Sequence, residues 1–234
     1  MTVRTQAFEQ RVIKSYVLRS GRMSVAQKRS YENLAASFCV DLKQEKKITS
    51  YESIFANSNP VIIEIGFGSG NAIAELAQKN PGINYLGIEV FRAGIGKLLW
   101  EIEKRGLNNI RIIEGDAVEI LCDYLPVNKA NGLHIFFPDP WPKKRHHKRR
   151  LVTRPFTEAL KNCLLPGAYI YMVTDWVDYA DWALHELSKT PGLKNQFNDF
   201  AAGIDWRPRT RFEIKGFNKN HQIRELFFKR DKNE

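Results

Sequence analysis

The sequence predicts a single α/β domain, a mostly parallel sheet with helices on both faces, preceded by a basic, partly helical N-terminal extension. Three observations carry that prediction. Short β-branched runs such as Val61–Ile65, VIIEI, read as strands buried on both sides. Helical stretches of about ten residues, punctuated by Gly, Asn or Pro, separate these runs, and such alternation specifies βαβ units. Acids and glycines gather directly after the strands, at the edge where an open α/β sheet holds its ligands.

In chain order, residues 1–20 have scattered charge and no clear period, which predicts partial flexibility. Residues 24–38 read as a helix capped by Ser24. Residues 43–60 form a polar connector, so the extension spans 1–58 and the catalytic-type domain 59–234. The first strand, Val61–Ile65, runs into Gly66-Phe67-Gly68-Ser69-Gly70 and a helix over Asn71–Lys79, stopped by Asn80-Pro81-Gly82. A second strand over 84–90 contains Gly87-Ile88-Glu89, and a helix over Arg92–Arg105 ends at Gly106. The third strand, Ile110–Glu114, leads to Gly115-Asp116 and a short helix to about Tyr124. The fourth, 133–137, opens the stretch LHIFFPDPWPKKRHHKRR. A helix over 153–163 runs toward Pro166-Gly167, a fifth strand over 168–174 ends at Asp175, and a helix follows to about Ser188. Residues 223–228 form a last candidate strand.

Charge is distributed unevenly. The chain has 234 residues and a formal net charge of +10, which points to an acidic partner such as nucleic acid. Residues 60–142 are net −3, whereas residues 1–47 and 143–150 each carry +6 and residues 201–234 carry +4. An acidic middle inside a basic periphery fits a small-ligand core surrounded by a polyanion-binding surface. The three cysteines, Cys39, Cys122 and Cys163, form no CxxC pair, which argues against a zinc ribbon or a disulfide framework. They read as small buried hydrophobes in a reducing compartment, and no metal site is expected. No signal-peptide core and no apolar run near 18 residues is present, so the expectation is a cytoplasmic protein without a membrane segment.

The candidate chemistry lies at the strand ends. Gly66, Gly68 and Gly70 let backbone approach a ligand closely, but GxGxG departs from the GxGxxG of dinucleotide-binding turns. Glu64, just before that turn, would repel a pyrophosphate and suits a cationic group. Glu89, 25 residues after Glu64, stands where this architecture grips a ribose diol. Asp116 is placed to accept from an exocyclic amine. Each acid alone reads more simply as solvated; three in register on successive strands describe a nucleoside site without phosphate, which fits S-adenosylmethionine better than NAD. After the fourth strand, Asp139 sits between prolines in a stiff elbow followed by eight residues with six Lys or Arg. Trp141 fits two roles equally, a platform for an extruded base or a plug beneath the loop. His146 and His147 lack acidic neighbours in sequence and suit phosphate rather than metal. Asp178 and Asp181 read as a solvated helix face.

EIGFGSG at 64–70, GIE at 87–89, GDA at 115–117, FFPDPWPKKRHHKRR at 136–150, TDW at 174–176 and TRFE at 210–213 together resemble the bacterial tRNA guanine-N7 methyltransferase family. The likeness spans nearly the whole chain, and PDPW with the basic run is its specific part. It implies a Rossmann-like class I methyltransferase fold on a seven-stranded sheet, and methyl transfer from S-adenosylmethionine to a tRNA guanine, number 46 of the variable loop. By resemblance, Glu64, Gly66, Gly68, Gly70, Glu89, Asp116, Ala117 and Asp139 would hold the cofactor, with Asp139 also catalytic. Lys143, Asp175, Thr210, Arg211, Phe212 and Glu213 would hold substrate. Arg145, His146, His147, Lys148, Arg149 and Arg150 would contact RNA, and the protein would act as a monomer or homodimer. Two other readings stay open on the residues alone. A small-molecule methyltransferase would share the cofactor acids without needing the cationic loop; a non-catalytic RNA-binding protein would keep the loop without three acids in register.

Overall fold

A computed structural model describes residues 13–17, 21–43, 47–208, 213 and 222–233. Thr210, Arg211 and Phe212, assigned to substrate by resemblance, lie outside the described residues, as do residues 1–12 of the extension. The sheet has seven strands: β1 (Val61–Ile65), β2 (Asn84–Glu89), β3 (Ile110–Glu114), β4 (Ala130–Phe136), β5 (Leu164–Thr174), β6 (Leu193–Asn195) and β7 (Arg224–Arg230), in the order β3-β2-β1-β4-β5-β7-β6. β1 to β5 are parallel, and β7 runs antiparallel between β5 and β6. The register pairs Ile65 with both Ile88 and Ile135, and Phe136 with Val173, so these four strands end level with one another. One edge of the sheet therefore presents Gly66, Val90, Phe137 and Asp175 side by side.

Strand β1 shows why both faces are covered. All five of its residues are buried; Val61, Ile63 and Ile65 join the core on one face and Ile62 the core on the other, as a period of two requires. α2 (Glu52–Phe55), α6 (Arg154–Cys163) and α7 (Val177–Ser188) supply Phe55, Phe156, Leu160, Tyr179 and Leu187 to the first face. α3 (Asn71–Lys79) and α4 (Arg92–Arg105) supply Ile73, Leu76, Ile95, Leu98 and Leu99 to the second. Fully burying side chains of this size is worth about 1.5–3 kcal/mol each before entropy is counted, so alternation in sequence becomes the two-sided sheet.

α1 (Val25–Phe38) begins with the expected Ser24 cap, closed reciprocally with Gln27 at 3.3 and 2.9 Å. Tyr31, Leu34, Ala35 and Phe38 pack onto the second core, and the buried Ser30 hydroxyl donates to Glu103 on α4 at 2.6 Å. The chain beyond α1 then lies along the outer edge of β3, where Val40 donates to the Ile112 carbonyl. That covers an edge otherwise open to pairing with another chain. After β3, α5 (Ala117–Glu119) continues as a π-helical turn over Ile120–Tyr124.

Two sequence expectations are corrected, and one strand went unread. α6 gives way directly to β5 at Leu164, so Pro166 and Gly167 lie inside the strand rather than in a turn; the pairing with β4 is irregular there, shifting between Ala130 and Gly132. β6 is a strand of only three residues, LKN, with no period to read. Cys122 is exposed beside buried Leu121, because a short helix must turn one face outward; only Cys163 of the three cysteines is buried. No helix among the described residues is long and apolar enough to cross a membrane.

Candidate functional site

A cavity of about 600 Å³ opens at the level strand ends. That volume suits a ligand of nucleoside size. Gly66 and Gly68 form its floor after β1, both with positive φ, +70° and +58°. α4 approaches this turn so closely that a Cβ on Gly94 would lie 2.1 Å from the Gly68 carbonyl oxygen. Close backbone packing thus accounts for glycine at position 94, whereas Gly66 and Gly68 themselves face open space.

Glu89, at the end of β2, is 8% exposed and forms one wall. Its carboxylate accepts from the backbone N–H of Gly68 at 2.7 Å, of Val90 at 2.7 Å and of Phe91 at 3.0 Å. Burial pushes its proton affinity up; the three amide donors oppose that rise and the charge of nearby Asp139 adds to it. With three of about four acceptor positions used, one remains for a ligand hydroxyl. Asp139, Ala117 and Gly115 complete that side. Asp116 stands just outside and caps α5, its Oδ1 accepting from Val118 at 2.9 Å. Gly70 caps α3 and packs on Leu98.

Glu64 is placed differently from expectation. It shares the face of Ile62, is 2% exposed, and is not part of the cavity wall. Its Oε2 has no hydrogen-bond partner among the described residues, and burial, with the charge of Glu89, pushes its carboxyl up to about 8. It faces His134 across the β1–β4 pairing. His134 is likewise buried, its Nδ1 without a partner among the described residues, and burial plus the Arg207 charge push it down to about 3. An acid and an imidazole that are both disfavoured from charging thus lie side by side in the sheet interior, the acid within electrostatic reach of Glu89 at the cavity wall.

The elbow Pro138-Asp139-Pro140 leaves β4 between two non-glycine residues in the left-handed region, Phe137 at φ +52° and Trp141 at φ +48°. Strain of this kind persists only where the surroundings over-determine it. Trp141 serves as a plug rather than a free platform. Its Nε1 donates to the Ser15 carbonyl at 3.0 Å and the Arg149 guanidinium covers its ring at 4.1 Å. Arg149 in turn donates to the Lys14 carbonyl.

The basic run forms a 3₁₀ turn over Lys144–Arg149, and its cations do not all face the same way. Lys143, Lys144, Arg145 and Lys148 are exposed. Arg150, expected to contact RNA, is 1% exposed and directed inward, where its guanidinium donates to the Pro140 carbonyl and to Asp178. Asp178 accordingly is not a merely solvated residue. His147 also turns inward, 3.4 Å from the Pro142 carbonyl and edge-on to Trp182.

Asp175 ends β5 beside the elbow, half-buried, and Phe137 donates to the Val173 carbonyl at 2.8 Å, tying the two strand ends together. Glu213 is buried in a bidentate pair with Arg207 at 2.7 and 3.0 Å. Arg207 also reaches Glu225 and the Tyr171 hydroxyl, so Glu213 anchors the chain and its carboxylate is already engaged.

Sequence reasoning missed the N-terminal share of the cavity. Ser15, Tyr16, Arg22 and Gln27 line it opposite the glycine turn. No period or motif marks these residues. The nearest signal is Gly21, pressed against Phe91 so that a Cβ would lie 2.4 Å from the ring.

Comparison with known proteins places the chain in context. A family model described as "Putative methyltransferase" matches residues 58–226. A tRNA (guanine-N(7)-)-methyltransferase of Burkholderia vietnamiensis is 44% identical over 220 residues, covering 94% of this chain and 86% of that one. One from Treponema pallidum (strain Nichols) is 41% identical over 244 residues, covering 93% and 96%. Among solved structures, the 16S rRNA methyltransferase KamB superposes with a TM-score of 0.57 at 17% identity, covering 79% of this chain and 95% of that one. An antibiotic-related methyltransferase gives 0.52 at 20%, covering 84% and 97%. At such identity the structural likeness speaks for the fold alone: the sheet is the Rossmann-like methyltransferase fold.

Proposed function

The chain belongs to the tRNA (guanine-N7-)-methyltransferase family, and we propose that it transfers a methyl group from S-adenosylmethionine to N7 of a guanine in tRNA, guanine 46 of the variable loop. One observation carries the reading beyond kinship. Asp139 lines the cavity beside Glu89 and, a few residues further on, the same loop exposes four cations. A nucleoside-sized site and a polyanion-facing surface therefore adjoin through one elbow.

Glu89, through its remaining acceptor position, suits a ribose hydroxyl. The amides and open space at Gly66 and Gly68, where nothing lies within 4 Å of a notional Cβ, suit close approach of a ligand. When bound, S-adenosylmethionine supplies an electrophilic methyl group on a sulfonium. Guanine N7 carries a lone pair and no proton, so no residue of the chain has to act as general base. The residues instead orient the base and place negative charge where the purine becomes cationic. Asp139 does both, accepting from the Watson–Crick edge and stabilising the developing charge; Asp175 assists from the adjacent strand end. Lys143, Lys144, Arg145 and Lys148 hold backbone phosphates, which supplies affinity rather than base choice. The setting is the cytoplasm, where tRNA is processed.

The test is nucleoside mass spectrometry of unmodified tRNA incubated with the protein and methyl-labelled S-adenosylmethionine. Label in 7-methylguanosine is expected. Label confined to another nucleoside, or absent from tRNA, overturns the reading.

A further inference from the structure

Arg150 closes the cationic run in sequence, yet among the described residues it is the largest fully buried side chain. Its Nε donates to the Pro140 carbonyl at 3.1 Å, and an Nη donates to Asp178 in the first turn of α7. The same nitrogen lies 3.2 Å from Nε2 of His147. The guanidinium sits 5.2 Å from the ring of Tyr179 and 5.3 Å from that of Trp182. Those rings are themselves fixed: the Tyr179 hydroxyl accepts from Val152 N–H at 3.2 Å, and Trp182 Nε1 donates to the Val152 carbonyl at 2.7 Å. One planar fork thus joins the elbow after β4 to the helix after β5.

The elbow needs such a tether. Phe137 and Trp141 hold it in left-handed backbone at both ends. Pro138, Pro140 and Pro142 offer no N–H, so the segment cannot hold itself by those amides. Beyond the Phe137 and Trp141 contacts at its two ends, the fold grips the elbow at the Pro140 carbonyl, one residue from Asp139. Reaching a phosphate would oblige Arg150 to leave the carbonyl, the carboxylate and two aromatic rings together.

We propose that Arg150, braced by Asp178, is a positioning residue that holds the Asp139 carboxylate at the cavity wall, and is not a tRNA ligand. This rests on the methyl-transfer reading above. A lysine keeps the charge but lacks the fixed fork needed to serve Pro140 and Asp178 at once. Asp178 has 63% of its side chain exposed, so replacing it removes the brace without opening the core.

The experiment compares Arg150→Lys, Asp178→Asn and Lys148→Ala with wild type. It measures tRNA affinity over a salt series and the single-turnover methyl-transfer rate at saturating tRNA and S-adenosylmethionine. Arg150→Lys is expected to slow transfer by about ten- to a hundredfold, the scale of a small misplacement at a reacting centre. Its tRNA affinity and salt slope should match wild type. Asp178→Asn should slow transfer in the same direction by less, and the double variant should be no slower than Arg150→Lys alone, because both act through one tether. Lys148→Ala marks what a phosphate contact looks like, with weaker affinity and a flatter slope. Arg150→Lys with the wild-type rate and a flattened slope overturns the proposal. If that variant does not fold, Asp178→Asn decides, and a wild-type rate in it overturns the proposal. Absence of methyl transfer by wild type itself would instead overturn the functional reading, and this inference with it.

Discussion

Replacing Lys144 and Lys148 by Ala tests the RNA face most directly. Both side chains are exposed on the 3₁₀ turn, so removing them disturbs solvated groups only. Each phosphate neutralised contributes about −0.7 to −0.9 to the slope of log affinity against log salt. All six cations of 143–150 acting on phosphates would give a slope of about −4 to −5.4, and a fall of several hundred- to roughly two-thousandfold between about 50 and 200 mM salt. With Arg150 buried and Arg149 held on Trp141 and the Lys14 carbonyl, four cations remain outward. Their slope is about −3 to −3.6, and the corresponding fall is roughly 50- to 150-fold. Cations elsewhere raise both figures equally, so the difference between proteins is the sharper measure. The double variant should flatten the slope by about 1.4 to 1.8 and leave S-adenosylmethionine affinity unchanged. Fluorescence anisotropy of labelled tRNA across a salt series reads both quantities. Parallel slopes with equal affinity would make the turn a solvated surface and refute the assignment.

Three further outcomes are expected. Glu89→Ala should weaken S-adenosylmethionine binding by about 1.5–3 kcal/mol by calorimetry, the scale of a hydrogen bond to a charged group, and unchanged affinity in a folded variant would remove Glu89 from the site. Asp139→Asn should slow single-turnover methyl transfer far more than it weakens cofactor or tRNA binding, since an amide keeps the shape and loses the charge; a wild-type rate would leave Asp175 as the better candidate. Glu64→Gln should change the pH dependence of stability. The folded carboxyl holds its proton up to about pH 8, whereas the unfolded one releases it near 4.5, so between those values the folded state binds more protons and rising pH removes stability. Urea midpoints at pH 5 and pH 9 should therefore fall for wild type and stay nearly level for the variant, and parallel profiles would show that Glu64 is ionised in the fold.

The parallel half of the fold was legible because it rests on strong local signals. β1 to β5 are buried runs punctuated by glycine and proline, and tertiary packing agrees with each. β6 was not legible, since LKN contains no pattern until β7 lies beside it. The N-terminal wall of the cavity was illegible for a related reason. Ser15 acts through its main-chain carbonyl on Trp141 and Tyr16 by lining the cavity, and neither leaves a trace in periodicity.

Charge was legible in amount but not in direction, and the difference decides how the basic run works. Six cations in eight residues describe a uniform surface only if all of them stay in water. Burying a guanidinium is costly unless it is fully partnered, so one inward cation needs a complete set of acceptors. The fold supplies acceptors at Arg150 in the Pro140 carbonyl and the Asp178 carboxylate, while among the described residues nothing comparable surrounds the exposed Lys143, Lys144 and Lys148. Asp178 looked dispensable in sequence because its partner is 28 residues away and belongs to a run of apparent equals. On the proposed reading the loop combines two physical roles along one short segment: its outer cations would meet a polyanion by long-range, salt-sensitive attraction, and its last residue would brace the elbow that carries the neighbouring acid by short, directional bonds that salt screens less. Substitutions that look alike by charge should for that reason separate cleanly, into those that move affinity with salt and those that move the chemical step without it.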